Sequence, residues 1–380
     1  MNQREVGELR RRLRPEKTTI THIVGCYVNE KKEITSRFDQ SIGVLPQEEG
    51  EKVLALLRKA LSGNLGKNLL DITFTTAQVM EGEAHKNLMT LRNEGTKDEA
   101  LLESFYEKVA ASVHMETGFV ILLASDAYDV PFKGKDDEEM ADASETVFRY
   151  ILCAICPVKL SKPALTYTLN AGEFHNRAID YVVGSPELGF LFPAFDDRAA
   201  NIYNAAFYTR DASQDHEDFI KAIFDSEAPM PANMQKESFS SLLGLSLDEE
   251  CSMDTVQAVR SQFCAMIQEH KESKEPEALI IPKGTVKGVL VSCGISEDKL
   301  ELFDREYDAA FGEGADLNPK NVVDPKKMEV KTPDVTIKVN PDRPDLVQTR
   351  MLDGARYILI RAEEGVEVNG IPIQITEQEG

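Results

Sequence analysis

Residues 20–38 read ITHIVGCYVNEKKEITSRF. β-Branched and aromatic side chains alternate through residues 20–28, Asn29 to Lys32 supply a polar turn, and Glu33 to Phe38 carry the chain back, which predicts a β-hairpin. Downstream, Pro46 followed by Gln47, Glu48 and Glu49 opens a helix. Val53, Leu54, Leu57 and Leu61 continue it at helical spacing until Ser62 and Gly63 stop it. LLDITFT (69–75) returns to strand character. Thr96 and Glu99 are spaced as a capping box ahead of Leu101, Leu102, Phe105 and Val109 on one helical face, and GFVILLA (118–124) is a short buried strand. Strands alternating with helices predict an α/β or α+β fold, with mixed sheet layers covered by helices.

Beyond this core, Pro131, Gly134 and the acidic run 136–139 predict a solvated excursion over residues 128–146, with strand character resuming at Val147. LGFLFPAF (188–195) and ANIYNAAFYT (200–209) predict an aromatic hairpin closed over Asp196, Asp197 and Arg198. EAPMPAN (227–233) has two prolines and no periodicity and marks a boundary. A helix follows with the stripe Val256, Val259, Phe263 and Ile267, and EHKESKEPE (269–277) reads as an exposed linker. Two helix candidates, 285–292 and 296–311, meet across Cys293 and Gly294. Asp353-Gly354 and Asn369-Gly370 are two-residue hairpin turns between VQTRML, ARYILIRA, VEV and IPIQI, which predicts a small antiparallel β meander. The expected organisation is multidomain: an α/β domain over 1–125, a β-rich middle domain over 126–226, a helical segment and charged linker over 234–276, and a helix pair with the C-terminal meander over 277–380.

The chain has 380 residues, 42% hydrophobic and 28% charged, a composition that excludes disordered, collagenous and coiled-coil classes. Its 43 basic against 65 acidic residues give a net charge of −22, which repels polyanions and anionic membranes at long range. Wholesale nucleic-acid coating is excluded on that ground. The opening MNQREVGELRRRLRPEK lacks the apolar run of a secretory signal, and the longest apolar stretch, Tyr150 to Val158, falls short of the roughly 18 residues of a membrane helix. Six cysteines are too sparse for a disulfide framework. These readings predict a cytoplasmic protein with no membrane partner and no cofactor.

Several motifs fail on context. Cys153-Ala-Ile-Cys156 matches C-x-x-C, but YILCAICPV reads as a buried strand in which residues three apart point to opposite faces, so core packing is expected instead of redox or zinc chemistry. SGNLGKN (62–68) lacks the Ser/Thr of a phosphate loop, and Gly312-Glu-Gly314 follows a helix where a dinucleotide site needs a strand. The 285–311 helix pair has helix-turn-helix spacing, but Glu297, Asp298, Glu301, Asp304, Glu306 and Asp308 would repel phosphates, so no sequence-specific DNA binding is expected.

Three sets of residues remain as candidates. His175 stands in Glu173-Phe-His175-Asn176-Arg177, where acid, imidazole, amide and guanidinium cluster. Asp196, Asp197 and Arg198, with Asn201 and Tyr203 close behind, form the densest set of ligand groups; a metal there needs a third carboxylate, for which Asp126 and Asp129 are the candidates. Arg10, Arg11, Arg12, Arg14 and Lys17 reverse the global charge locally and predict an arm able to grip RNA phosphates or an acidic surface.

The stretches RRRLRPEK, THIVGCYVNEKKEI, YILCAICPVKL, FPAFDDRAANIYNAAFYTRD, TPDVTIKVNP and EGVEVNGI resemble, over nearly the whole chain, an uncharacterised family of Gram-positive bacteria that is known only as a domain of unknown function. That resemblance implies no activity, cofactor or catalytic residue. The hairpin from Leu188 to Thr209 also resembles the middle-domain hairpin of bacterial relatives of archaeal-type release and ribosome-rescue factors. The Gly-Gly-Gln tripeptide needed there for peptide release is absent from the sequence, so this resemblance implies a binding role only. The expected function is therefore a binding or regulatory protein whose basic start touches RNA or a ribosome. The alternatives are a metal-assisted hydrolase built on Asp196 and Asp197, and a scaffold for a protein partner using the 296–311 helix and the meander.

Overall fold

The computed structural model describes residues 1–94, 98–133, 139–176, 178–273, 279–362 and 365–374. The chain divides into two compact units, Met1–Ala232 and a second built from Asn233–Glu275 and Leu279–Gly380. The first unit contains α1 (Gln3–Arg12), β1 (His22–Val28), β2 (Ile34–Ser41), α2 (Gln47–Lys59), β3 (Leu69–Thr73), α3 (Thr76–Glu81), α4 (Glu83–Glu94) and α5 (Glu99–Ser112). There follow β4 (Phe119–Lys133), β5 (Glu139–Leu160), β6 (Leu165–Thr168), β7 (Glu173–Asn176), β8 (Tyr181–Val183), β9 (Leu188–Phe192), β10 (Ala194–Asp196), β11 (Ala199–Asn201), β12 (Asn204–Thr209) and α6 (Glu217–Phe224).

One sheet organises this unit, in the order β2-β1-β4-β5-β9-β12-β3, with β8 on the edge of β5 and every pairing antiparallel. Helices cover both of its faces, which is why β5 reads as an unbroken apolar run where a one-sided sheet would alternate. Ile151, Cys153 and Ile155 face the layer that includes Leu88 and Leu91 of α4, Phe105 and Val109 of α5 and Phe219 of α6. Leu152, Ala154 and Cys156 face the layer that includes Val6 and Leu9 of α1, Leu54 and Leu57 of α2 and Phe195 of β10. Each fully buried Leu or Phe here contributes about 1.5–3 kcal/mol relative to exposure. The close approach of α2 depends on Gly189: a Cβ there would lie 2.6 Å from the Cys153 carbonyl oxygen and 2.8 Å from the Ala60 Cβ.

The 20–38 hairpin forms as expected, with Asn29 Oδ1 accepting from Lys31 N and Glu33 N at 2.9 Å each to close the turn. The aromatic hairpin forms as two layers of pairing. β9 pairs β12 in the large sheet, while β10 pairs β11 across Asp197 and Arg198, whose φ values of 48° and 58° suit a two-residue hairpin turn.

Several expectations are corrected. The cap of α5 is Asp98, whose side chain accepts from Leu101 N at 3.0 Å; Thr96 lies outside the described residues. The predicted excursion over 128–146 is in large part a two-stranded continuation of β4 and β5, paired out to Lys133 and Glu139, with residues 134–138 outside the described set. Pro131 is accommodated there by register shifts on either side of it. β4 also runs through residue 125, so the predicted 1–125 and 126–226 segments share one sheet.

The second unit contains α7 (Ala232–Leu247), α8 (Met253–Ser273), α9 (Lys283–Ser292), α10 (Glu297–Phe311) and α11 (Pro319–Val322) around Phe239, Phe263, Leu290, Phe303 and Tyr307. Helix α8 continues through residues 269–273, the first part of the predicted linker, because its charged residues are good helix formers and Gln268 Nε2 donates to Glu272 Oε1 one turn on. Residues 274–278 lie outside the described set. Three hairpins follow: β13 (Met328–Lys331) with β14 (Thr336–Val339), β15 (Val347–Leu352) with β16 (Ala355–Ile360), and β17 (Val366–Val368) with β18 (Ile371–Ile373). The last two turn at Asp353-Gly354 and Asn369-Gly370, all four residues at positive φ, as the sequence predicts. The fold is α+β with a C-terminal antiparallel β meander.

Candidate functional site

Two of the candidate sets meet. Asn2 caps α1: its side chain accepts from Arg4 N and Glu5 N, and the Glu5 carboxylate accepts from Asn2 N at 2.7 Å, a capping box. The helix then buries Val6, Leu9 and, just past its end, Leu13, which fixes which of its cations face solvent. Arg4, Arg11, Arg14 and Lys17 are exposed, whereas Arg10 and Arg12 are half-buried. The predicted arm is thus a packed helix with a short exposed basic end. Arg12 lies with its guanidinium carbon 4.1 Å from the centre of the Tyr128 ring and donates to Thr19 Oγ1 at 2.7 Å and to Asp126 Oδ2 at 3.5 Å.

Beside this helix sits the turn that joins β10 to β11. Arg198 donates through Nη1 to Glu8 Oε2 at 2.6 Å, through Nη2 to the Pro131 carbonyl at 2.8 Å and through its backbone N–H to Glu5 Oε1 at 3.1 Å. Tyr128 donates to the other Glu8 oxygen at 2.5 Å; burial first, then that hydrogen bond, pushes the phenol's pKa far above its ordinary value. Asp196 accepts from Asn201 Nδ2 at 3.1 Å, Asn201 Oδ1 accepts from Tyr203 N at 3.1 Å, and the Tyr203 ring remains exposed.

Neither carboxylate expected to complete a metal site does so. Asp126 is buried and taken up by Thr19, by Tyr150 Oη at 2.8 Å and by Arg12, while Asp129 is exposed and lies on the opposite face of β4 from Asp126. The carboxylate beside Asp196 and Asp197 is Glu5, with one oxygen from each of the three within 4.8 Å of the others. Hard oxygen donors at this spacing are of the type that binds Ca²⁺ or Mg²⁺. Both Glu5 oxygens, however, already accept backbone N–H groups, and Asp196 accepts Asn201. The arrangement locks α1 to the β10–β11 turn. Nearby, desolvation of the carboxyl and then the charge of Asp196, opposed by the α-amino group, hold Asp71 above the ordinary carboxylate range.

His175 does not join this network. It is exposed on β7, where its Nδ1 lies 3.3 Å from Thr168 Oγ1 and its carbonyl accepts from Thr166 Oγ1; Arg177 lies outside the described residues. Cys153 and Cys156 face opposite layers, as expected, and burial pushes the Cys156 thiol up to about 12 and the Cys153 thiol well above its ordinary value. Helix α10 carries its acidic side chains as predicted, but Lys283 and Lys287 of α9 bind Asp308 and Asp304, so part of its charge is neutralised.

The segment that carries His175 has a property the sequence reading missed. Leu165, Tyr167, Leu169, Phe174, Ile179 and Tyr181 are all exposed, Leu169 at 86% and Phe174 at 69%, and the Tyr167 and Phe174 rings pack 4.9 Å apart across the hairpin. The signal was the alternation in LTYTL, which marks a strand, and the apolar side chains it places are exposed. A second set, Met351, Tyr357, Ile360, Ile371 and Ile373, is exposed on the C-terminal hairpins.

Among the described residues no helix is long and apolar enough to cross a membrane. No curated protein and no solved structure matches the chain. Residues 1–371 match one family over nearly the full length, and the chain belongs to that family, described as Domain of unknown function (DUF4317).

Proposed function

We propose that the protein is a binding protein that docks a basic protein partner through the apolar hairpin region from β6 to β8. The observation that carries this reading is the concentration of exposed apolar side chains between Leu160 and Val183. Clustered exposed apolar side chains mark interaction sites, and among the described residues the outer edges of β6 and β7 pair with no other strand, which allows strand addition. The choice of a basic partner rests on charge. At −22 the chain repels a second copy of itself and attracts a cationic surface, so encounter is steered toward basic proteins. The test is site-specific photo-crosslinking from position 167 in cells, with adducts identified by mass spectrometry. A basic protein crosslinked by the parent and lost in the Leu165→Ser, Tyr167→Ser (for crosslinking placed at 169), Phe174→Ser background is the expected result. Adducts unchanged by those substitutions, or formed only between copies of the chain, would overturn it.

A polyanion-binding role is the second reading, favoured by the exposure of Arg4 and Arg11 on α1 and of Arg14 and Lys17 just past its end. It predicts co-purifying nucleic acid, seen as a 260/280 nm absorbance ratio that collapses with salt and with neutralisation of Arg11 and Arg14. The hydrolase reading has less support, since both Glu5 oxygens and one Asp196 oxygen already accept hydrogen bonds within the fold.

A further inference from the structure

The second unit holds a groove of about 1020 Å³ between α7, α8 and strand β13. Phe239, Leu243, Val256, Val259 and Met328 give it an apolar lining, and Val256 is 46% exposed. Four cations line the same groove, Lys236, Arg260, Lys327 and Lys331, against two carboxylates, Asp324 and Glu329. Glu329 is paired with Lys331 at 3.1 Å, and the Arg260 guanidinium donates to the backbone carbonyls of Asp324, Pro325 and Lys327, which fixes its position without neutralising its charge. In a chain of net charge −22 this is a local reversal of sign. Gln257 also lines the groove, and its Nε2 is buried with no hydrogen-bond partner among the described residues.

We propose that this groove binds an acidic amphipathic helix from a partner protein. The apolar face of such a helix covers Val256, and its carboxylates meet Lys236, Lys327 and Arg260. The size agrees: a helix about 10 Å across has a cross-section of about 80 Å², so the groove takes a length of about 13 Å, or about eight residues, two turns. Helix-in-groove recognition reads such a segment by its i, i+3, i+4 and i+7 anchors. The site shares no residue with the β6–β8 hairpins and stands independently of their role.

The experiment is selection of a random display library of about 16-residue peptides on the full chain, followed by fluorescence anisotropy with the enriched peptide as probe. Enriched sequences are expected to combine Asp and Glu with apolar residues at helical spacing. Affinity should fall at least about tenfold in Lys236→Glu/Lys327→Glu and in Val256→Asp, about 1.4 kcal/mol or more. All three positions are exposed, so the variants should keep the parental melting temperature. Enrichment of basic or neutral sequences, or of peptides whose binding the variants leave unchanged, overturns the proposal. Binding of a medium-chain fatty acid at these residues with no peptide competing for them assigns the groove to a small anionic amphiphile and also overturns it.

Discussion

The contact most open to a quantitative test is the buried one at Asp126, which ties residues before β1 to β4 and β5. Its carboxylate accepts from Thr19 Oγ1, from Tyr150 Oη at 2.8 Å and from Ala127 N at 2.9 Å, and it faces Arg12 at 3.5 Å. Asp126→Ala leaves the Tyr150 hydroxyl without an acceptor in a site where the whole side chain is 1% exposed, a cost of about 1–3 kcal/mol. The Arg12 pair adds less, about 1 kcal/mol, because that side chain keeps some solvent access. A total of about 3 kcal/mol corresponds to about 6–12 °C in melting temperature for a unit of this size. The chain has no Trp and ten Tyr, eight of them before Ala232, so near-ultraviolet circular dichroism reports chiefly on the first unit. A double-mutant cycle with Tyr150→Phe should return a coupling of about 1–2 kcal/mol. A loss below about 1 kcal/mol in Asp126→Ala, or a coupling within about 0.5 kcal/mol of zero, would refute the assignment of this carboxylate as the anchor of the network.

Gly189→Ala should destabilise the first unit by about 1–3 kcal/mol in urea unfolding, since the new Cβ meets backbone at 2.6 Å and the α2 terminus at 2.8 Å; a neutral effect would show that α2 sits farther from the sheet. Cys26, Cys153 and Cys156 should resist iodoacetamide in the native protein and react after unfolding, because burial raises all three thiols; peptide mapping that finds them labelled without denaturant would contradict their placement. His216, packed on Phe207 with Nε2 3.0 Å from Thr209 Oγ1, has its pKa lowered from 6.5 by burial, with Asp215, Asp211 and Glu187 opposing. Its neutral form is the one the fold favours, so the contribution is complete above pH 6.5 and is lost as pH falls from there through the lowered folded value. His216→Gln should therefore flatten the acid side of the stability profile, and an unchanged profile would remove His216 as a cause.

The parts of the fold legible in the sequence are those whose signals are local. The 20–38 hairpin follows from alternation plus a polar turn, and the two C-terminal hairpins follow from Asp-Gly and Asn-Gly. The apolar run from Tyr150 to Val158 follows from burial on both faces. Helix α4 escaped because its buried positions are only His85, Leu88 and Leu91 in an otherwise polar segment, and His85 is a packed ring 5.0 Å from Phe74. The β4–β5 continuation escaped because acidic residues and a proline suggest a loop, while an antiparallel pair can extend beyond its sheet when its two strands satisfy each other's backbone groups. The candidate site was half legible. Residue type pointed to Asp196, Asp197 and Arg198, but Arg198 is matched by Glu8 across 190 residues, and no local pattern announces a pair so distant.

In the basic start an apolar pattern runs through the cationic one. Val6, Leu9 and Leu13 follow helical spacing, so the same residues that advertise a cationic arm also specify a helix with one face against the sheet. That geometry sorts the cations: Arg4 and Arg11 stand two turns apart on the exposed face and Arg14 and Lys17 follow beyond it, whereas Arg12 turns inward over Tyr128. The count of exposed cations limits any polyanion binding. Four phosphate contacts give a slope of log affinity against log salt of about −3 to −4, against a field from the rest of the chain that opposes the ligand. Titrating a fluorescent single-stranded RNA at several salt concentrations measures that slope. A value near −3, reduced by about one for each of Arg11→Ala and Arg14→Ala, is the result the exposed end of α1 permits. A slope steeper than about −6 would require cations from elsewhere on the chain and would show that the helix is not the principal contact.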